Sequence, residues 1–164
     1  MTTTTVQRVA ATDAALDELR SLRDRHGPLM IHQSGGCCDG SSPMCYPAGD
    51  LLLGDADVHL GDLRLSRTEP DQGELGGPAD VVPVWMGKAQ YAYWQHTHLT
   101  IDLVTGRGAG FSLEAPDGVR FMIRSRLLTD DELTTLRTAG LLLDPPVGPP
   151  PDPLHTVLQA APAR

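Results

Sequence analysis

All three cysteines of this 164-residue chain, Cys37, Cys38 and Cys45, fall inside one glycine-flanked stretch, His32-Gln-Ser-Gly-Gly-Cys-Cys-Asp-Gly-Ser-Ser-Pro-Met-Cys-Tyr46. An odd count with two adjacent residues makes a poor disulfide framework. The fold must therefore stand on a buried apolar core, and this length suffices for one. Core packing would scatter cysteines along the chain, so their clustering points to chemistry. Gly35, Gly36 and Gly40 let the backbone wrap closely around something small. Thiolates bind soft metals or act as nucleophiles.

Composition narrows the classes further. The formal net charge of -8 and a pI near 5.0 lack the basic footprint of general nucleic-acid binding. No apolar run approaches about 18 residues, so no membrane partner or transmembrane helix is expected. The N-terminal Met-Thr-Thr-Thr-Thr-Val-Gln-Arg has no apolar segment of a secretory signal. Unpaired, clustered thiols fit a reducing, cytoplasmic setting.

Residues 1–11 read as disordered, residues 12–140 as a single domain, and 141–164 as a Pro-rich tail. Thr12 or Asp13 caps a helix to about Arg25, striped by Ala14, Leu16, Leu19 and Leu22 and closed by Gly27-Pro28. Leu29–His32 reads as a short strand entering the cysteine loop. Val58–Leu65 alternates loosely, and 68–80 reads as a loop. Val81–Met86 is a strand in which Pro83 suggests an edge or a bulge. Val81-Val82 and Val84-Trp85 read either as an edge that forms a homodimer or as ordinary core. Tyr91–Val104 is a long extended candidate. Phe111–Glu114 and Val119–Ser125, on either side of Pro116-Asp117-Gly118, read as a hairpin. Thr129-Asp-Asp-Glu opens a last helix to about Thr138, a capping-box pattern closed by Gly140. The fold class is α+β: a compact, mainly antiparallel sheet core, sandwich or barrel-like, with a helix near each end.

In Tyr91–Val104, strand parity puts Trp94, His96, His98, Thr100 and Asp102 on one face. Two histidines two residues apart stand roughly 6–7 Å from one another and can converge on one ion, with Asp102 as ligand or supporting partner. The alternative is a solvated sheet face. With His32 beside the cysteines, the candidate metal set is Cys37, Cys38, Cys45, His32, His96 and His98, suited to zinc, iron or copper. Two other readings of the loop stay open. One is a reactive thiol at Cys37 or Cys38, with His32 or His96 as base and the Gly35-Gly36 amides facing an oxyanion. The other is small residues packed in a tight turn. Met44 reads as a soft Cu(I) ligand or as core filler. Arg120, Arg124 and Arg126, with Arg107, read as an anion site or as an exposed face paired with Glu114, Asp117 or Asp130.

Four segments together resemble a bacterial family, the domain-of-unknown-function 779 family: Ile31–Cys45, Tyr93-Trp-Gln-His-Thr-His-Leu99, Gly106-Arg-Gly-Ala-Gly-Phe-Ser-Leu-Glu114 and Arg120-Phe-Met-Ile-Arg-Ser125. The resemblance spans roughly residues 12–140. It implies association with an aldehyde dehydrogenase or another oxidoreductase, and so an accessory role. A fainter similarity links Gly35-Gly-Cys-Cys-Asp-Gly40 and Ile101–Phe111 to the HesB-like iron–sulfur carrier proteins. The C-terminal cysteine-glycine-cysteine pair of those proteins has no counterpart here, since no cysteine follows Cys45. The leading expectation is a small cytoplasmic metal-binding accessory or carrier protein serving an oxidoreductase. The alternatives are a thiol- or metal-dependent enzyme acting on a small carbonyl compound, and a non-catalytic interaction module.

Overall fold

The computed structural model describes residues 6–36, 39–66, 78–107 and 110–143. Its elements run β1 (Val9–Ala11), α1 (Asp13–His26), β2 (Leu29–Gln33), β3 (Met44–Pro47), β4 (Asp57–Arg64), β5 (Val81–Gly87), α2 (Lys88–Trp94), β6 (Thr97–Thr105), β7 (Val119–Leu127) and α3 (Asp130–Thr138). Among the described residues the architecture is α+β, with two separate sheets and no closed barrel. One sheet has the order β1-β6-β7 and the other β3-β2-β5-β4. Among the described residues three pairings are antiparallel, and the β1–β6 and β2–β5 pairings are parallel. No helix among the described residues is long and apolar enough to cross a membrane.

Alternation in the strands builds the core. Leu99 and Ile101 of β6, Phe121 and Ile123 of β7, Leu29 and Ile31 of β2, and Val82, Val84 and Met86 of β5 join one buried cluster. Ala15, Leu19 and Leu22 of α1 enter the same cluster at helical spacing. Both sheets and α1 thus share one core.

Both long helices begin and end where the residue chemistry directs. Thr12 caps α1 by accepting from the Ala15 N–H at 3.3 Å, and Gly27 follows the helix at φ +80. Thr12 Oγ1 also donates to Asp102 Oδ1 at 3.0 Å, and Asp102 Oδ2 accepts from Arg124 Nε at 2.7 Å. At α3 both bonds of the Thr129–Glu132 capping box are present, and Glu132 takes a two-pronged contact from Arg126 at 3.0 Å on each oxygen. Arg126 and the Thr129 N–H hold the Glu132 carboxyl down at about 2.

Four sequence expectations are corrected. The stretch before residue 12 contributes strand β1, bonded to β6. Tyr91–Val104 is not one extended segment: it opens as α2, turns at Gln95-His96, and becomes a strand only at Thr97. Gln90, Tyr91 and Trp94 are the buried positions of α2, which is helical spacing, so burial overrode the strand preference of the aromatic residues. Phe111–Glu114 forms turns rather than a strand, and β7 pairs instead with β6. Finally, β5 is an interior strand, not an edge. Pro83 is tolerated there because the ladder to β2 begins only at Val84.

One carboxylate cluster lies against the core. Burial first, then hydrogen bonding to Asp117, raises Glu18 from the ordinary 4.5 to about 7. The native protein therefore holds a proton that the unfolded chain releases, and this group's contribution to stability is lost as pH rises from about 4.5 to about 7. Glu18→Gln is expected to flatten that slope and raise Tm at pH 8 relative to the parent, as read by thermal melts across that window. Thr12→Ala removes a helix cap and a bond to a carboxylate. It is expected to cost about 2 kcal/mol in urea unfolding, with Thr12→Ser recovering most of the loss.

Candidate functional site

The cysteine stretch is the loop of a β2–β3 hairpin. β2 enters it and β3 leaves it, with Ile31 opposite Cys45 and His32 opposite Met44. This register sorts the candidates. Ile31 and Cys45 share the core face, so His32 belongs to the opposite face. Cys45 is fully buried, and burial, with the nearby Glu114 charge, pushes its thiol well above the ordinary range. Enclosed in this way, the protonated thiol packs as a small hydrophobe.

His32 is occupied in a different way. Its Nδ1 lies 2.6 Å from Ser34 Oγ and its Nε2 lies 2.7 Å from Asp57 Oδ1. Burial pushes the Asp57 carboxyl up, but the bonds from His32 and the Gly54 N–H outweigh it and hold the group below the usual carboxylate range. With Asp57 ionised, Nε2–H donates to it and Nδ1 accepts from Ser34. Both ring nitrogens are thus engaged, and a metal at His32 would have to displace one of these partners. The only signal of this arrangement in the sequence was His-x-Ser at the end of a strand. Asp57, 25 residues away, carried none.

Cys37 and Cys38 lie outside the described residues. Their flanks are well anchored. On one side Gly36 O accepts from the Trp94 indole N–H at 3.2 Å. On the other, Asp39 Oδ1 accepts from the Ser125 N–H at 2.9 Å and from the Ser125 hydroxyl. Gly40 N–H donates to Ile123 O at 2.8 Å, and Ile123 N–H donates to Ser41 O at 2.8 Å. The loop therefore runs along the β7 edge of the first sheet while its two ends belong to the second. Arg120 donates to Gly40 O at 3.1 Å and to Ser42 Oγ at 2.7 Å. The loop crosses close to itself at Gly36, where φ is +89 and an added Cβ would sit 2.9 Å from Ser41 Cβ.

The histidine pair is split by the helix-to-strand switch. His96 is exposed in the turn, two residues after Trp94, while His98 lies on β6 opposite Arg126. Burial first, and then the charge of Arg126, holds the His98 imidazole below its ordinary value, so it is neutral at neutral pH. Strand β7 separates the β6 ladder from the loop edge. Asp102 is taken up by Thr12 and Arg124. Arg124 and Arg126 are paired, with Asp102 and Glu132 as partners in place of the acids expected from the sequence, while Arg120 is bonded to the loop; Asp117 binds Arg25 instead, and Glu114 is buried beside Ser112. Met44 Sδ accepts from the Tyr46 hydroxyl at 3.2 Å. Among the described residues, no three His, Cys, Asp or Glu side chains gather closely enough to hold a metal ion.

These features define a small two-sheet α+β protein whose thiol-bearing hairpin loop is tied to the edge of the opposite sheet. The profile of one protein family, described as a domain of unknown function (DUF779), matches residues 18–127, and the chain belongs to that family. No curated protein and no solved structure matches it.

Gly36→Ala is expected to cost about 2–3 kcal/mol, because the left-handed backbone and the Ser41 contact both oppose a side chain. Gly54→Ala meets open space and is expected to leave the urea midpoint unchanged, so paired unfolding curves check the contrast.

Proposed function

We propose that this protein is a metal-binding accessory or carrier for an oxidoreductase, with the thiolates of Cys37 and Cys38 as soft donors and His96 or His98 supplying imidazole. The observation that carries this reading is the anchoring of the loop. Gly36 is bonded to Trp94, two residues before His96, and Asp39 is bonded to Ser125 on β7, one strand away from the β6 position of His98. A neutral imidazole at His98 suits ligation, since only the unprotonated nitrogen binds a metal. Adjacent cysteines diverge in extended backbone, and a glycine-rich turn is the setting in which both reach one ion. Zinc, iron and copper all accept such a donor set. Cys45 and His32 are left out of the site, the first by enclosure in the core and the second by its bonds to Ser34 and Asp57. The partner, an aldehyde dehydrogenase, rests on the family resemblance alone.

Elemental analysis of anaerobically purified, tag-free protein is the deciding measurement. About one equivalent of a transition metal is expected, falling at least tenfold in the Cys37→Ser/Cys38→Ser double variant and unchanged in Cys45→Ala. Full metal retention in the double variant overturns the reading. His96→Ala and His98→Ala, measured separately, assign the imidazole.

A further inference from the structure

Beyond the thiol loop, a cleft opens on the face of the second sheet that carries His32. It encloses about 820 Å³ and is lined by His32, Ser34, Asp57, Lys88, Gln90 and Leu143. Ser34 is exposed, whereas the side chain of His32 is 7% and that of Asp57 16% accessible. A reachable hydroxyl, an enclosed imidazole and a carboxylate thus stand in series at 2.6 and 2.7 Å. That order is what an activated nucleophile requires: a base within hydrogen-bond reach, itself oriented by a third group. Here serine faces Nδ1 and aspartate faces Nε2, and the proton path is the same whichever nitrogen meets which partner.

A second observation in the same cleft points to a ligand. Gln90 is 4% exposed, and among the described residues its Oε1 has no hydrogen-bond partner. A buried acceptor left without a donor costs about 1–3 kcal/mol, and a turn of the Gln90 amide toward a bound N–H or O–H would relieve it. Ala56, Ala89, Ala92 and Leu143 complete the walls with small or apolar surface, and Lys88 brings a positive charge to the cleft.

We propose that Ser34, His32 and Asp57 form a nucleophilic relay that hydrolyses a small acyl ester bearing a hydrogen-bond donor. Ser34 Oγ attacks the carbonyl carbon while its proton passes to His32 Nδ1. The bond from that carbon to the leaving alcohol oxygen breaks, and the alcohol departs with the proton. Water then attacks the acyl-Ser34 ester by the same route, releasing the acid and restoring the serine hydroxyl. Asp57 holds the imidazole in the tautomer that accepts at Nδ1 and balances the charge that develops on it. Lys88 offers its charge to the oxyanion.

The test uses the full chain with diisopropyl fluorophosphate, an acylation-mimicking probe, followed by intact-mass and peptide analysis. One adduct per chain on Ser34 is expected, absent in Ser34→Ala and formed about 100-fold more slowly in Asp57→Asn. Ser34→Ala leaves His32 Nδ1 without its donor and is expected to melt a few degrees below the parent while still folding, so it decides the matter even where Asp57→Asn unfolds. Absence of an adduct, or one formed at the parent rate in Ser34→Ala, overturns the proposal. Labelling is expected to persist in the Cys37→Ser/Cys38→Ser variant, and metal content to persist in Ser34→Ala. The two sites therefore stand or fall separately.

Discussion

The exchange of hydrogen bonds between Ile123 and the Gly40–Ser41 backbone joins the two halves of this molecule. Without it, β7 would present an open edge, and the two sheets would be linked through their side chains, the α1 and α2 connections and the bond from Leu113 N–H to Cys45 O. With it, the hairpin loop of one sheet serves as an additional edge segment of the other. Backbone pairing of this kind satisfies polar groups that burial would otherwise penalise. It also fixes where the loop travels, and with it the surroundings of any chemistry done by thiols in that loop. Ser112 plays the reciprocal part by accepting from the Cys45 N–H at 2.8 Å, so β3 too is tied to the connection that follows β6.

The register of β2 against β3 then separates two chemistries that are contiguous in sequence. One step along the strand moves a side chain to the other face. Cys45 follows Ile31 into the core and loses its acidity. His32 emerges on the opposite face and meets Asp57 and Ser34. A pattern that reads as a single His–Cys cluster becomes a buried thiol on one side and a polar relay on the other. The metal reading and the relay reading consequently draw on different residues, although both derive from one hairpin.

Much of the frame was legible in the chain. The Thr12 cap and Gly27 stop of α1, the Thr129–Glu132 box of α3, the short strand before the cysteines and the inward set Phe121 and Ile123 all follow from local rules. The segment around Tyr91 was misread for a definite reason. Its aromatic residues favour strands in isolation, yet the packing of Gln90, Tyr91 and Trp94 against the rest of the fold selects a helical turn. Strand β1 was invisible because three residues without a pattern gain their structure only by pairing with β6. The partners of the arginines were likewise beyond reach, since Asp102 and Glu132 are brought to Arg124 and Arg126 by strand pairing and by the α3 turn.

By itself, the sequence determined most of the local elements and the placement of every thiol within one glycine-flanked stretch. These are properties of neighbouring residues and their backbone preferences. Tertiary structure alone decided which candidates share a site. It buried Cys45, gave His32 to Asp57, tied Asp102 between Thr12 and Arg124, and set Gln90 against a cleft. The physical reason is that ligand and proton-transfer geometry depends on contacts between residues far apart in the chain, and those contacts are fixed by register and core packing rather than by spacing.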